Sequence, residues 1–94
     1  MTKKDIVIEV AQRPELSQLT QVEIKKVIQS TMDYLIESLA KGETIELRNF
    51  GVFKVRTRKG RMARNPKTGQ KVSVPDRKVV VFKPGLVMKE KIRR

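Results

Sequence analysis

Residues 56–71 of this 94-residue chain hold Arg56, Arg58, Lys59, Arg61, Arg64, Lys67 and Lys71 with no acidic side chain among them. The chemistry open to such a run is electrostatic rather than covalent. A guanidinium offers a flat fork of weakly hydrated donors that fits phosphate oxygens, and an ammonium acts as a point charge. Seven like charges without a counter-charge repel one another, so a merely solvated face is a poor explanation and a polyanionic ligand a good one. Within the run lies Asn65-Pro66-Lys67-Thr68-Gly69, which reads as a turn: proline fixes φ and glycine can supply a positive φ. Pro66 is rigid and apolar and has no N–H that needs a partner.

Other chemistries are excluded by composition. The chain has no cysteine and no histidine, which removes disulfides, thiol chemistry and imidazole-based metal or acid–base sites. Asp5, Glu9, Glu23, Asp33 and Glu37 fall on helical segments, where they cap or solubilise. No glycine-rich phosphate cradle of the P-loop type is present. No catalytic residue, metal site, cofactor or small-molecule substrate is therefore expected. Residues 1–53 carry 7 basic and 8 acidic side chains, whereas residues 54–94 carry 15 basic and 2 acidic ones, so one half is near neutral and the other is cationic. Ile6-Val7-Ile8 is broken by Glu9, which gives no secretory signal, and no run approaches the roughly 20 apolar residues of a membrane span. A cysteine-free chain of this kind suits the cytoplasm.

These charges need elements to hold them. Thr2 and Asp5 form a capping-box-like start to a short helix over residues 2–13, with Pro14 beyond it; its β-branched content makes a strand the rival reading. Residues 14–19 read as a loop. Thr20 and Glu23 make a second capping box. Behind it Ile24, Val27, Ile28, Thr31, Met32, Leu35, Ile36 and Leu39 recur at three and four, predicting a helix over about 21–40 that Gly42 stops. Ile45-Glu46-Leu47 alternates as a strand. Phe50–Arg56 follows as another, with Phe53 and Val55 on one face and Lys54 and Arg56 on the other. Val72 and Val74 resume alternation, Val79–Phe82 reads as a buried strand, and residues 85–92 as a short helix.

The expected fold is α+β: two N-terminal helices, a three-stranded antiparallel sheet with a long protruding β-hairpin arm, and a short C-terminal helix. It forms one domain, with a body of about 1–55 and 75–94 and an arm of about 56–74. A hairpin of some 20 residues with almost no apolar face projects into solvent. The remaining body of about 70 residues has a thin core for a monomer, yet it supplies a wide helical stripe, three phenylalanines and a valine run. That surplus predicts an intertwined dimer with Phe50, Phe53 and Phe82 at its shared core.

Gly51-Val52-Phe53, then Arg58 and Arg61, then Arg64-Asn65-Pro66-Lys67-Thr68-Gly69, and finally Phe82-Lys83-Pro84-Gly85 resemble the signature of the bacterial histone-like HU and integration host factor family. The resemblance covers essentially the whole chain. It implies a homodimer, or a heterodimer with a paralogue, whose two arms wrap the minor groove of double-stranded DNA while each tip proline wedges between base pairs. It implies a nucleoid-associated protein that compacts or organises the chromosome. By this reading the DNA-binding residues are Arg56, Arg58, Lys59, Arg61, Arg64, Asn65, Pro66, Lys67, Lys71, Lys83, Lys3, Glu46 and Arg48. Asn65 either reads a base edge or holds its turn. Lys83 reaches a phosphate or lies along the surface, and Lys3 reaches a phosphate at the first helix N-terminus. Glu46 and Arg48 read bases or pair with each other. Residues 14–19 are about three longer than the usual link between the first two helices. Ile45-Glu46-Leu47-Arg48 is closer to one integration host factor subunit, which raises site-preferring bending beside general bending.

Two other classes compete. A membrane-surface module lacks an amphipathic basic helix with aromatic anchors. An RNA-binding, ribosome-associated protein would want aromatics in the arm to stack unpaired bases, and the arm has none.

Overall fold

The computed structural model describes residues 1–93. They fall into two compact units, Met1–Glu37 and Ser38–Arg94, with the boundary near the end of the second helix.

In the first unit, α1 runs over Lys3–Ala11. The Asp5 carboxylate accepts the Thr2 N–H at 2.7 Å and its hydroxyl at 3.1 Å, so the cap prevails over the β-branched run and settles helix against strand. The helix ends two residues before the expected point because the chain turns into a single 3-10 turn at Pro14–Leu16, inside the segment expected as a loop. α2 runs over Gln21–Ala40. Its capping box is reciprocal: Glu23 accepts the Thr20 N–H at 2.9 Å, and the Thr20 hydroxyl accepts the Glu23 N–H at 3.1 Å. At the other end Gly42 adopts φ 86°, the Glu43 N–H reaches the Ser38 carbonyl at 3.1 Å and the Gly42 N–H reaches that of Leu39 at 2.9 Å. Those two bonds make a Schellman stop. Val7 and Ile24 are the buried large apolar side chains of this unit among the described residues.

In the second unit, β1 (Ile45–Leu47), β2 (Gly51–Arg58) and β5 (Arg77–Pro84) form an antiparallel sheet in the order β1-β2-β5. β3 (Arg61–Arg64) and β4 (Lys71–Val74) form a separate two-stranded ladder, and α3 (Leu86–Arg93) closes the chain. The α+β class, the three helices and the antiparallel sheet agree with expectation. The hairpin, however, is not one continuous ribbon. Pairing runs from Gly51↔Pro84 to Arg58↔Arg77, skips Lys59-Gly60 and Pro75-Asp76, and resumes in the same register at Arg61↔Val74. Pro75 has no N–H to give a ladder, which is one physical cause of the break.

Strand alternation sorts the three-stranded sheet into two faces. Ile45, Leu47, Phe53, Phe82, Val55 and Val80 share one face by register. Phe82 stacks obliquely on both other phenylalanines, with centroids 4.8 Å from Phe53 and 5.7 Å from Phe50.

The Thr20 backbone N–H, and then its hydroxyl, hold the Glu23 carboxyl below its ordinary value. A depressed carboxyl contributes stability that is fully present above the unfolded pKa and is lost as pH falls through the folded one. Glu23→Ala should therefore lower Tm at pH 7, and the gap from the wild type should narrow as pH falls below the carboxylate range. Thermal unfolding followed by circular dichroism across pH 2–7 checks this; a gap independent of pH would leave only helix propensity.

Candidate nucleic-acid interface

The opposite face of the three-stranded sheet is basic. By register Lys54, Arg56, Arg58, Arg77 and Lys83 share it, interleaved with Val52, Val79 and Val81, and Glu46 stands at the β1 edge across from Val52. Of these, Arg77 was missed by sequence reasoning, because only pairing shows that the strand returning from the arm adds its charges to the face of the outgoing one; Lys54 was placed beside Arg56 on that face but not counted among the DNA-binding residues. Arg58 stands directly opposite Arg77, a like-charge pair that costs stability in a sheet.

Beyond the break the ladder pairs Arg61↔Val74, Met62↔Ser73, Ala63↔Val72 and Arg64↔Lys71. Arg64 and Lys71 again oppose each other as like charges. The pairing also corrects the expectation of a hairpin with almost no apolar face: Ala63, Val72 and Val74 line one side together with Arg61. Val72 and Val74 were visible as a resumed strand, but Ala63 joins them only through the register.

The tip is braced from within. The Asn65 N–H reaches the Gln70 carbonyl at 2.8 Å, and the Gly69 N–H reaches the Asn65 carbonyl at 2.7 Å. The Asn65 side-chain oxygen accepts the Lys67 N–H at 2.9 Å, so this side chain holds the turn. Pro66 and Lys67 lie exposed at its crest.

The structure places the sequence-predicted residues as follows. Arg56 and Arg58 sit in β2 and Lys83 in β5, so all three belong to the sheet. Arg61 and Arg64 are in β3 and Lys71 opens β4, while Lys59 lies at the break. Around that break Arg58, Lys59, Arg61 and Arg77 gather with Val74 and Pro75 about a cleft of about 360 Å³. Arg48 lies in the turn between β1 and β2, where Asn49 takes φ 68° and the Phe50 N–H reaches the Leu47 carbonyl at 2.9 Å. Lys3 is in the other unit, at the first position of α1. Its ammonium donates to the Gln29 side chain, whose amide in turn reaches Asp33 at 2.8 Å.

Comparison with known proteins places the whole described chain. The model of a family described as Bacterial DNA-binding protein matches residues 1–93. The chain belongs to this family. Among its bacterial DNA-binding relatives, integration host factor subunit alpha of Caulobacter sp. (strain K31) is 43% identical over 76 residues, covering 81% of this chain and 76% of that protein. Integration host factor subunit beta of Colwellia psychrerythraea is 39% identical over 92 residues, covering 98% and 95%. The cocrystal structure of Anabaena HU with DNA superposes with a TM-score of 0.86 at 33% identity, covering 98% of this chain and 97% of that one. The bacterial DNA-binding family, HU and integration host factor together, is one of architectural DNA-binding proteins. Among the described residues, no helix is long and apolar enough to cross a membrane.

Lys71→Glu converts the repelling Arg64–Lys71 pair into an attracting one. It should stabilise the free arm by several tenths of a kcal/mol, within the roughly 0.2–1 kcal/mol typical of cross-strand pairs. Amide hydrogen exchange over residues 61–74 should slow in the variant; unchanged exchange would mean that the opposed charges do not govern the free ladder.

Proposed function

We propose that this chain is an architectural DNA bender. It acts as a dimer whose two arms enter the minor groove of double-stranded DNA and whose Pro66 tips wedge between base pairs. The observation that carries the reading is the tip: a turn braced by Asn65 presents an exposed proline at the end of a cationic hairpin. A narrow minor groove concentrates negative potential, which suits Arg61, Arg64, Lys67 and Lys71. The strip of Ala63, Val72 and Val74 suits the apolar sugar walls of such a groove. Partial unstacking costs a few kcal/mol, which a bent duplex offsets by touching more protein. The basic sheet face, with Arg56, Arg58 and Lys83, and Lys59 at the break beyond it take the backbone between the arms, and Lys3 takes a flanking phosphate. In the cytoplasm such a protein compacts or organises the nucleoid, and bending DNA calls for neither catalysis nor a cofactor.

Dimerisation is supported by what one chain leaves open. Tyr34 is 67% exposed, Leu86 70%, Ile92 75% and Val80 56%, and the Phe50 and Phe82 rings are only partly covered. A monomer seldom shows that much apolar surface. Sedimentation at micromolar concentration should give twice the 10.8 kDa chain mass, or the mass of a mixed dimer when a paralogue is supplied; a 10.8 kDa species throughout would end the shared-core reading.

A second reading, bending with site preference, is favoured by the relatives named as integration host factor subunits and by Glu46 and Arg48, which stand exposed at the β1 end of the sheet. Both readings meet in one assay, energy transfer between the ends of short labelled duplexes. Wild-type protein should draw the ends together, and Pro66→Ala should reduce the transfer markedly while weakening affinity by less than about tenfold, or 1.4 kcal/mol. Equal transfer by the variant rules out the wedge. Across a panel of arbitrary sequences, a flat affinity ranking favours general bending, and a spread of 10³-fold or more, on the order of specific against non-specific binding, favours site preference.

A further inference from the structure

The break between sheet and arm is closed by a bond that the ladder does not supply. The Gly60 N–H donates to the Asp76 carboxylate across the gap. Gly60 has no room for a side chain: a Cβ there would collide with the Val74 carbonyl oxygen and lie 3.0 Å from both the Asp76 nitrogen and its carboxylate oxygen. The two strands therefore touch at this point, backbone to backbone, even though Pro75 offers no N–H. Asp76 is one of 2 acidic residues among the last 41; it precedes Arg77, stands across the gap from Lys59 by register, and lines a small cleft with Gly60 and Arg61. An acid in a segment this cationic is more readily explained by a role in geometry than by one in charge, because it subtracts from the field that would attract a polyanion.

We propose that Asp76 is a positioning residue: its hydrogen bond to Gly60 clips the base of the arm, fixing the direction in which the arm leaves the sheet and the spacing of Arg58, Lys59, Arg61 and Arg77 around the joint. Without the clip the gap holds no cross-strand bond. The arm then pivots on two flexible connections, and the ordering that a bound duplex requires must come from binding itself. The consequence for DNA rests on the bending function proposed above; the clip does not.

The test separates the two. In the free protein, Asp76→Ala should speed hydrogen exchange of the Gly60 amide at least tenfold and lower the 15N order parameters of residues 61–64 and 71–74. Asp76→Asn keeps an acceptor oxygen in place and should restore both. If Asn behaves like Ala, Asp76 acts as a counter-charge to Lys59 and its neighbours, and the clip is wrong. Gly60→Ala forces the strands apart by another route, so adding it to Asp76→Ala should cost little further order, whereas additive losses would also overturn the proposal. On labelled duplexes, Asp76→Ala should widen the distribution of end-to-end distances and speed dissociation several-fold, with Asp76→Asn near wild type. An unchanged distribution would remove the positioning role. A wild type that binds duplexes without bending them would refute the functional reading and leave the free-protein result to judge the clip.

Discussion

The constraint on which this structure turns is positive charge that nothing in the chain neutralises. Most of the excess lies on two ladders where geometry makes repulsion worst: Arg58 faces Arg77 and Arg64 faces Lys71, each pair on one side of a sheet. A ladder can bear such pairs because backbone bonds hold it closed, and it gains most from a partner that brings phosphates to both members at once. The elements of the second unit follow from that. The sheet keeps its phenylalanines on one face and all its cations but Lys78 on the other, where Val52, Val79 and Val81 sit among them; the arm carries the charge beyond the body, and the tip is closed by its own hydrogen bonds instead of by packing.

Segregation of charge also explains why so little apolar surface is buried within one chain. A sheet that gives most of one face to cations, with only Val52, Val79 and Val81 between them, has little beyond its other face left for a core. In this protein that face is short and its phenylalanines cluster without being fully covered. A second copy of the same surface is a low-cost way to finish such a core, because a twofold interface needs only one self-complementary patch.

Local chemistry was the part legible in the sequence. Both helix starts are written as Thr-x-x-acid, the stop at Gly42 is a single residue, and the arm turn is marked by Pro66 and Gly69; each depends on neighbours within five positions. What stayed hidden depends on register, which no local pattern fixes. Arg77 joined the face of Lys54 and Arg56 only once β2 was seen to pair with β5. Ala63 joined an apolar strip only once it was seen opposite Val72. The break at Gly60 and Pro75 was hidden for the same reason: both are ordinary in isolation, and only their opposition interrupts a ladder. The role of Asn65 was left open between reading a base and holding the turn, and the distance from its side chain to the Lys67 N–H shows it holding the turn.

The register carried unchanged across the break has a further meaning. A hinge that slipped by a residue would turn every side chain of the arm to the other face, whereas this one can bend without changing which residues face which way. It also makes the arm a ruler. Six positions separate Gly60 from Pro66, the last two of them in the turn, so the chain between them spans at most roughly 20 Å, or about six base-pair steps of a duplex with a 3.4 Å rise. The distance from the joint to the tip is thus set by counting residues, and a family member could change it only in steps of two per strand if the faces of its arm are to be kept.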